Sequence, residues 1–301
     1  MNPTASLLRA TLNISARLAP GLAGPRVFAL FVRPLGRARL RPDEAELMAR
    51  AETGRLVVRG APVTTYRWGD GDRPVLLVHG WSSRASRFAG FVEALRAQGH
   101  TVVSFDAPGH GESGGRAATV RDFREVIRQL HTRYGDFSTV VAHSLGVLAS
   151  LFTLRDGVRA DRIVAIGGVA QFEYLVDQFR LRLGLSERIG QLLRSHVEQR
   201  LFPGEADIWE RLDARWRPSD IPVPVLLIHD TDDDVAAPAQ SRVIATAYGT
   251  RARLIETSGL GHRRILADPG VIAASVEFAT SPPPVPPSSG PAAAGAPAVA
   301  R

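Results

Sequence analysis

Cysteine is absent from the 301 residues, and so is lysine. Without cysteine the chain can form neither disulfides nor thiolate metal sites, and a reducing compartment fits, so a cytoplasmic location is expected. Without lysine, the basic side of the charge balance, 37 residues against 30 acidic, is entirely arginine. No apolar run is long enough to cross a bilayer. The histidines show no H-E-x-x-H or comparable ligand spacing, so no metal and no cofactor is expected. A further absence is local. No acid precedes Asp43, while Arg9, Arg17, Arg26, Arg33, Arg37, Arg39 and Arg41 all do, so this stretch carries the whole formal charge of +7. The rest of the chain is balanced, which argues against a nucleic-acid partner for the main domain.

Length and an apolar fraction of 45% allow one large α/β core or two modest domains. Residues 1–50 read as a basic amphipathic helical arm, interrupted at Pro20, Pro25 and Pro34. Leu56–Arg59 and Val63–Trp68 read as strands around a turn at Gly60. From Pro74 onward, apolar strand runs alternate with helical patterns, which predicts βαβ units and a mostly parallel central sheet flanked by helices. Strands are expected at Val75–His79, Thr101–Asp106, Thr139–His143, Arg162–Ile166, Val223–His229 and Arg253–Thr257. Helices are expected at Ser86–Gln98, Val120–Tyr134, Leu145–Arg155, Ala239–Tyr248 and Pro269–Ala279. The core thus occupies residues 51–170 and 218–280. The helical, arginine-rich interval 171–217 breaks the alternation and reads as an inserted cap. The Pro/Ala-rich tail at 281–301 is expected to be disordered.

Within this frame, Thr139–Leu148 runs from a β-branched apolar strand through Ala142-His143-Ser144-Leu145-Gly146 into a helix. That is the strand–serine–helix pattern of a nucleophile elbow, whose tight turn lifts a hydroxyl off the end of a sheet. A serine that merely caps a helix would give the same pentapeptide. Val75–His79 ends in His79-Gly80 and a polar loop, which alone is only a glycine turn. Gly109–Gly114 satisfies G-x-G-x-x-G, but the next helix starts near Thr119, whose spacing to Asp122 resembles a capping box. Gly115–Ala118 therefore separates the glycines from the helix terminus a dinucleotide would need. A carboxylate loop, Asp230-Thr231-Asp232-Asp233-Asp234, follows Val223–His229. Ser258-Gly259-Leu260-Gly261-His262 follows the last strand. Each alone is an ordinary solvated loop. Together they put serine, acid and histidine in that order beyond the carboxyl ends of strands, the edge where open parallel sheets bind ligands.

From about Leu56 to Thr280 the chain resembles the α/β-hydrolase superfamily. His79-Gly80, the Asp106-x-x-Gly109-x-Gly111-x-Ser113 turn, His143-Ser144-Leu145-Gly146, the acidic loop and Gly261-His262 carry the resemblance. It implies the α/β-hydrolase fold and a serine hydrolase with a Ser-Asp-His triad, acting on a small acyl ester or thioester through an acyl-enzyme on Ser144. A turnover-deficient binding protein and a membrane-surface lipase or acyltransferase are the alternatives. His262 would be the base, and the backbone N–H groups of Trp81 and Leu145 would form the oxyanion hole. Family loops place the acid four residues beyond the strand-end histidine, which is Asp233 here, while the spacing to Val235 would fit Asp232; Asp230 and Asp234 rank behind. Two positions depart from the common pattern: Ala142 stands for the first glycine of the elbow, and Asp230 for a glycine after His229. In the cap, Phe172, Tyr174, Leu175, Phe179, Leu183, Leu185, Leu192 and Leu193 would either line an acyl pocket or pack the cap on the core.

In the arm, Leu8, Leu12, Leu18 and Leu22 recur at near-helical spacing. Arg17 and Pro20 break any apolar core of a cleaved secretory signal, whereas the arginine-rich start also resembles an organellar transit peptide. The arm either docks its leucines on the body or makes peripheral contact with a membrane through residues 1–42.

Overall fold

A computed structural model describes residues 3–281. Residues 282–301, nearly all of the expected tail, lie outside the described residues, as does the side chain of Leu8. The strands are β1 (Glu52–Val58), β2 (Ala61–Trp68), β3 (Val75–Val78), β4 (Val102–Phe105), β5 (Thr139–His143), β6 (Ile163–Ile166), β7 (Val225–Asp230) and β8 (Ala252–Thr257). They form one sheet in the order β1-β2-β4-β3-β5-β6-β7-β8. β1 and β2 are antiparallel to their neighbours, and every pair from β4 to β8 is parallel. Helices cover both faces of the parallel part, so every residue of β3 through β7 is buried. That is why these strands read as unbroken apolar runs rather than as alternation.

The helices are α1 (Pro3–Leu18), α2 (Pro20–Phe31), α3 (Pro42–Ala49), α4 (Ala89–Ala97), α5 (Val120–Tyr134), α6 (Leu145–Arg155), α7 (Phe172–Arg182), α8 (Glu187–His196), α9 (Ile208–Arg211), α10 (Ala239–Tyr248), α11 (Gly261–Arg264) and α12 (Pro269–Thr280). Helices α5, α6 and α10 have the bounds expected from pattern. At α5 the Thr119–Asp122 capping box forms, with Thr119 N–H donating to Asp122 Oδ2 at 2.7 Å. Elsewhere the boundaries move for local reasons. β1 begins at Glu52 rather than Leu56, because its ladder to β2 continues through polar residues of an exposed edge. β7 begins at Val225 rather than Val223, after Pro224, which has no N–H to donate. The expected helix Ser86–Gln98 is a 3₁₀ turn, Ala85–Phe88, leading into α4.

Between β6 and β7 the chain forms α7, α8, a π-helical turn at Val197–Leu201, and α9. The arm packs against this segment. Leu12, Ala16, Ala23, Val27, Phe28 and Val32 are buried, and Asn13 holds the α7–α8 corner by donating to Gly184 O and accepting from Ser186 N–H. Helices α2 and α8 approach so closely at Gly24 that a Cβ there would lie 2.4 Å from the His196 ring. Two expectations need correction. Pro25 does not interrupt the helix but sits within α2; the carbonyl four residues back belongs to exposed Gly21, where water can satisfy it. Of the arm's leucines, Leu12 docks inward, but Leu18 and Leu22 are 81% and 60% exposed.

Docking of the arm is testable by stability. Phe28→Ala should cost about 3 kcal/mol of unfolding free energy, whereas Leu22→Ser should change it by less than about 0.5 kcal/mol. Urea denaturation of the two variants checks this, and equal effects would contradict the packing.

Candidate active site

The turn from β5 to α6 places Ser144 at φ +56° and ψ −123°, a left-handed backbone that a side-chain-bearing residue rarely adopts. Hydrogen bonds hold it there: Ser144 N–H donates to Ile166 O at 3.0 Å, and Val147 N–H to Ser144 O at 3.0 Å. The turn also needs glycine on either side of it in space. A Cβ at Gly80 would lie 2.7 Å from Ser144 Cβ, and one at Gly146 would lie 2.5 Å from Val78 O. Ala142 faces no such conflict, being a fully buried strand residue paired with Val78 and Ala165.

His262 reaches this turn from the start of α11. Its Nε2 lies 3.0 Å from Ser144 Oγ, and its Nδ1 lies 2.7 Å from Asp233 Oδ2. All three residues are buried. Asp233 Oδ1 accepts the backbone N–H groups of Val235 and Ala236, both at 2.8 Å, and His229 Nε2 lies 3.3 Å from its Oδ2. Burial works to raise the Asp233 pKa, but the bonds from His229, His262 and Ala236 outweigh it and hold the carboxyl well below the usual range. The other candidate acids lie elsewhere. Asp232 is exposed and accepts from Gly259 N–H at 2.7 Å, and Asp234 is exposed.

Asp230 has a distinct place. Its fully buried carboxylate accepts from Asp232 N–H (3.1 Å) and Gly261 N–H (2.9 Å) through Oδ1, and from the Thr257 hydroxyl (2.8 Å) and Leu260 N–H (3.1 Å) through Oδ2. It therefore ties the acid loop to the loop that presents His262. Burial opposes its ionisation, yet these donors hold its pKa below the ordinary value.

Three further histidines brace the surrounding loops. His79 Nδ1 bonds to Gly80 O at 2.7 Å and its Nε2 accepts from Ala107 N–H at 2.9 Å. His110 Nδ1 bonds to Pro108 O at 2.9 Å and its Nε2 accepts from Ser82 N–H at 3.1 Å, which fixes the loop carrying Trp81. His143 Nε2 donates to His262 O at 2.8 Å. A carbonyl can only accept, so each ring carries its proton on the nitrogen facing one. Burial keeps all three neutral, pushing His110 and His143 down to about 3. Sequence reasoning passed over His110, His143 and the bracing role of Asp230. The one available signal was that Asp230 departs from the usual glycine.

The run Gly109–Gly114 braces the same region. Asp106 accepts from the Tyr66 hydroxyl, Ala85 N–H and Glu112 N–H, and a Cβ at Gly111 would lie 1.9 Å from its carboxylate. α5 starts only at Val120, so these glycines do not open a helix. Among the described residues, no cluster of His, Cys, Asp or Glu is arranged to hold a metal, and no helix is long and apolar enough to cross a membrane.

Ser144 and His262 open into a cavity of about 550 Å³. Trp81 and Leu145 line it, together with Phe172, Leu175, Phe179 and Leu183 from the segment after β6 and Phe31, Val32 and Leu35 from the arm. The other apolar residues singled out in that segment pack instead: Leu185 and Leu193 are buried, Leu192 is partly so, and the Tyr174 hydroxyl accepts from Ala237 N–H.

The family model described as "Alpha/beta hydrolase family" matches residues 75–275. The chain belongs to this family. A curated relative, a monoacylglycerol lipase of Mycolicibacterium smegmatis, is 34% identical over 80 residues, which cover 24% of this chain and only 29% of that lipase. Among solved structures, an esterase of Pyrococcus furiosus is similar with a TM-score of 0.60 at 19% identity, over 82% of this chain and 96% of that one. A monoacylglycerol lipase of Paleococcus ferrophilus has a TM-score of 0.55 at 23% identity, over 76% and 98%. The thioesterase domain from the curacin biosynthetic pathway has a TM-score of 0.55 at 18% identity, over 77% and 99%. At these identities the structural likenesses speak for the fold alone.

The Asp230 brace predicts a pH-dependent stability. Because its folded pKa is depressed, its contribution is present above the unfolded carboxylate pKa of about 4 and is lost as pH falls through the folded value. Asp230→Asn should lower stability by about 2–3 kcal/mol at pH 7, since an amide cannot accept from all four donors. The gap in Tm between the two proteins should narrow as pH drops below about 4. A gap independent of pH would refute the ionised brace.

Proposed function

We propose that this hydrolase cleaves a carboxylester or thioester of an apolar acyl group through an acyl-enzyme on Ser144. The observation that carries this reading is the unbroken hydrogen-bonded chain Ser144–His262–Asp233 at the wall of an apolar cavity. In the proposed reaction His262 Nε2 takes the Ser144 proton as Oγ attacks the carbonyl carbon. Asp233 keeps the proton of the ring on Nδ1 and stabilises the imidazolium that forms. The backbone N–H groups of Trp81 and Leu145 receive the developing oxyanion, the first steadied by the His110–Ser82 bond. His262 then returns its proton to the leaving group and activates the water that releases the acid.

The neighbourhood supports this division of roles. His79, His110 and His143 are held neutral by burial, so no fixed imidazolium beside His262 opposes its protonation. The cavity's aromatic and aliphatic lining suits an acyl chain better than a charged or sugar-like group. The lipase, esterase and thioesterase names of the similar proteins agree with an ester-like bond.

A fluorophosphonate probe should label the wild-type protein and leave Ser144→Ala unlabelled. On the best substrate in a series of p-nitrophenyl esters of increasing chain length, Ser144→Ala or His262→Ala should lower kcat by on the order of 10⁴- to 10⁶-fold, with the double variant little worse. Substantial activity left in Ser144→Ala would remove the serine from its role.

The acid and the oxyanion loop are separable in the same assay. Asp233→Asn should cost about 10³- to 10⁴-fold in kcat, and Asp232→Asn less than about tenfold by comparison. Trp81→Phe keeps the backbone donor and should shift KM and chain-length preference rather than kcat. A larger loss at Asp232 than at Asp233 would transfer the acid role.

A further inference from the structure

The arm leaves one apolar face without a partner. Eight large apolar side chains are exposed among the described residues, and six of them, Leu7, Ile14, Leu18, Leu22, Leu35 and Leu40, belong to the arm. Residues 1–42 are only 42 of 301 residues, so the concentration is not a matter of length. On α1 the spacing 7, 14, 18 puts three of them on one stripe, opposite the Leu12–Ala16 stripe that docks on the body. A surface helix ordinarily has one apolar face. This one has two, and only the inner is covered.

The charge around that face has one sign. Residues 1–42 hold seven arginines and no acid. Arg37 is consumed in the fold, donating to the carbonyls of Gly111, Ser113 and Gly115, and Arg41 lies 3.9 Å from Glu44. Arg17, Arg26 and Arg33 are exposed, with no acidic partner within 4 Å among the described residues, whereas Arg9 lies on the inner side of α1 against Gly184. Exposed leucines among unpaired arginines are complementary to one kind of surface, an anionic lipid interface. There the side chains enter the acyl boundary and the guanidinium groups meet headgroup phosphates.

We infer that the outer face of α1 and the start of α2 is a docking surface for an anionic lipid bilayer, and that the arm stays folded on the body when bound. The same arm continues into the wall of the Ser144 cavity through Phe31, Val32 and Leu35, and Leu35 is itself 80% exposed. Docking would therefore bring the cavity's arm-side wall toward the lipid surface. The inference does not depend on the chemistry of Ser144.

The test is co-sedimentation of full-length protein with vesicles of phosphatidylcholine alone and of phosphatidylcholine mixed with phosphatidylglycerol. Binding is expected only to the anionic vesicles. It should be released between about 0.1 M and 1 M salt, as the screening length contracts from about 10 Å to 3 Å. The double variants Leu18→Ser/Leu22→Ser and Arg17→Gln/Arg26→Gln change only exposed side chains. Each should keep the wild-type Tm and lose roughly tenfold or more in partition coefficient, while Ser144→Ala should bind like wild type. Absence of binding to anionic vesicles at low salt overturns the inference, and so does undiminished binding by the leucine variant. A dimer in light scattering that Leu18→Ser/Leu22→Ser splits, without vesicle binding, would assign the stripe to a second copy of the chain and also overturn it.

Discussion

The left-handed backbone at Ser144 constrains more of this molecule than any other single feature. A non-glycine residue in that conformation costs about 1–3 kcal/mol, and it persists only where its surroundings over-determine it. Here they do. β5 is paired on both sides, by β3 and β6. Its last carbonyl–amide link runs from Ser144 N–H to Ile166 O, and Gly80 and Gly146 leave room for the turn that a methyl group would fill. Strand order suits the same turn. The serine sits beyond a central strand, with the loop after β3 supplying Gly80 and Trp81 on one side and, one strand beyond β6, the loop after β7 supplying Asp233 on the other. No edge strand could offer both.

Around that turn, ionised and neutral groups are sorted by hydrogen bonding rather than by exposure. His79, His110 and His143 are buried; the first two each link two loop backbones through their ring nitrogens, and His143 donates to His262 O. Held neutral, they brace the loops without adding a charge that would compete with an imidazolium at His262. The two ionised carboxylates at the same sheet edge, Asp230 and Asp233, are saturated with donors instead. Asp233 has a histidine among its donors, while the donors of Asp230 are three backbone amides and a hydroxyl. That difference in partners, between two carboxylates three residues apart, separates the one able to orient a ring from the one able only to hold a loop.

The central fold was legible because buried parallel strands leave an unmistakable trace: Val75-Leu76-Leu77-Val78 and Thr139–Ala142 are buried on both faces, and Gly80, Asp106 and Gly167 stand just beyond the ends of β3, β4 and β6. Of the candidate site residues, Ser144 follows directly from the end of β5 and His262 stands five residues after the end of β8, so both could be singled out by position. The acid was harder, since four aspartates within five residues share one sequence signal. Their separation depends on burial and on which carboxylate meets His229 and His262, which are tertiary facts. The bracing role of His110 was hidden by its position inside a glycine pattern with a better-known use. Pattern also misjudged the arm, because recurrence of leucine reports that a helix has an apolar stripe but not how many. Leu12 and Leu18 differ by six residues and end up on different faces of α1, one buried and one 81% exposed.

That division of the arm bears on how the site is built. Phe31 packs edge-on against Phe172 and Phe179, so the cavity beside Ser144 is walled jointly by the arm and the first helix after β6. Neither element belongs to the parallel sheet that positions the serine, the histidine and the acid. Ser144, His262 and Asp233 are thus held at the carboxyl edge of the sheet, while the far wall of the cavity is made by two helical segments packed on each other. Those segments are fastened mainly by apolar contact and a few side-chain bonds such as Asn13 to the Gly184 and Ser186 backbone. The cavity wall and the Ser144–His262 pair are thus built on separate parts of the fold.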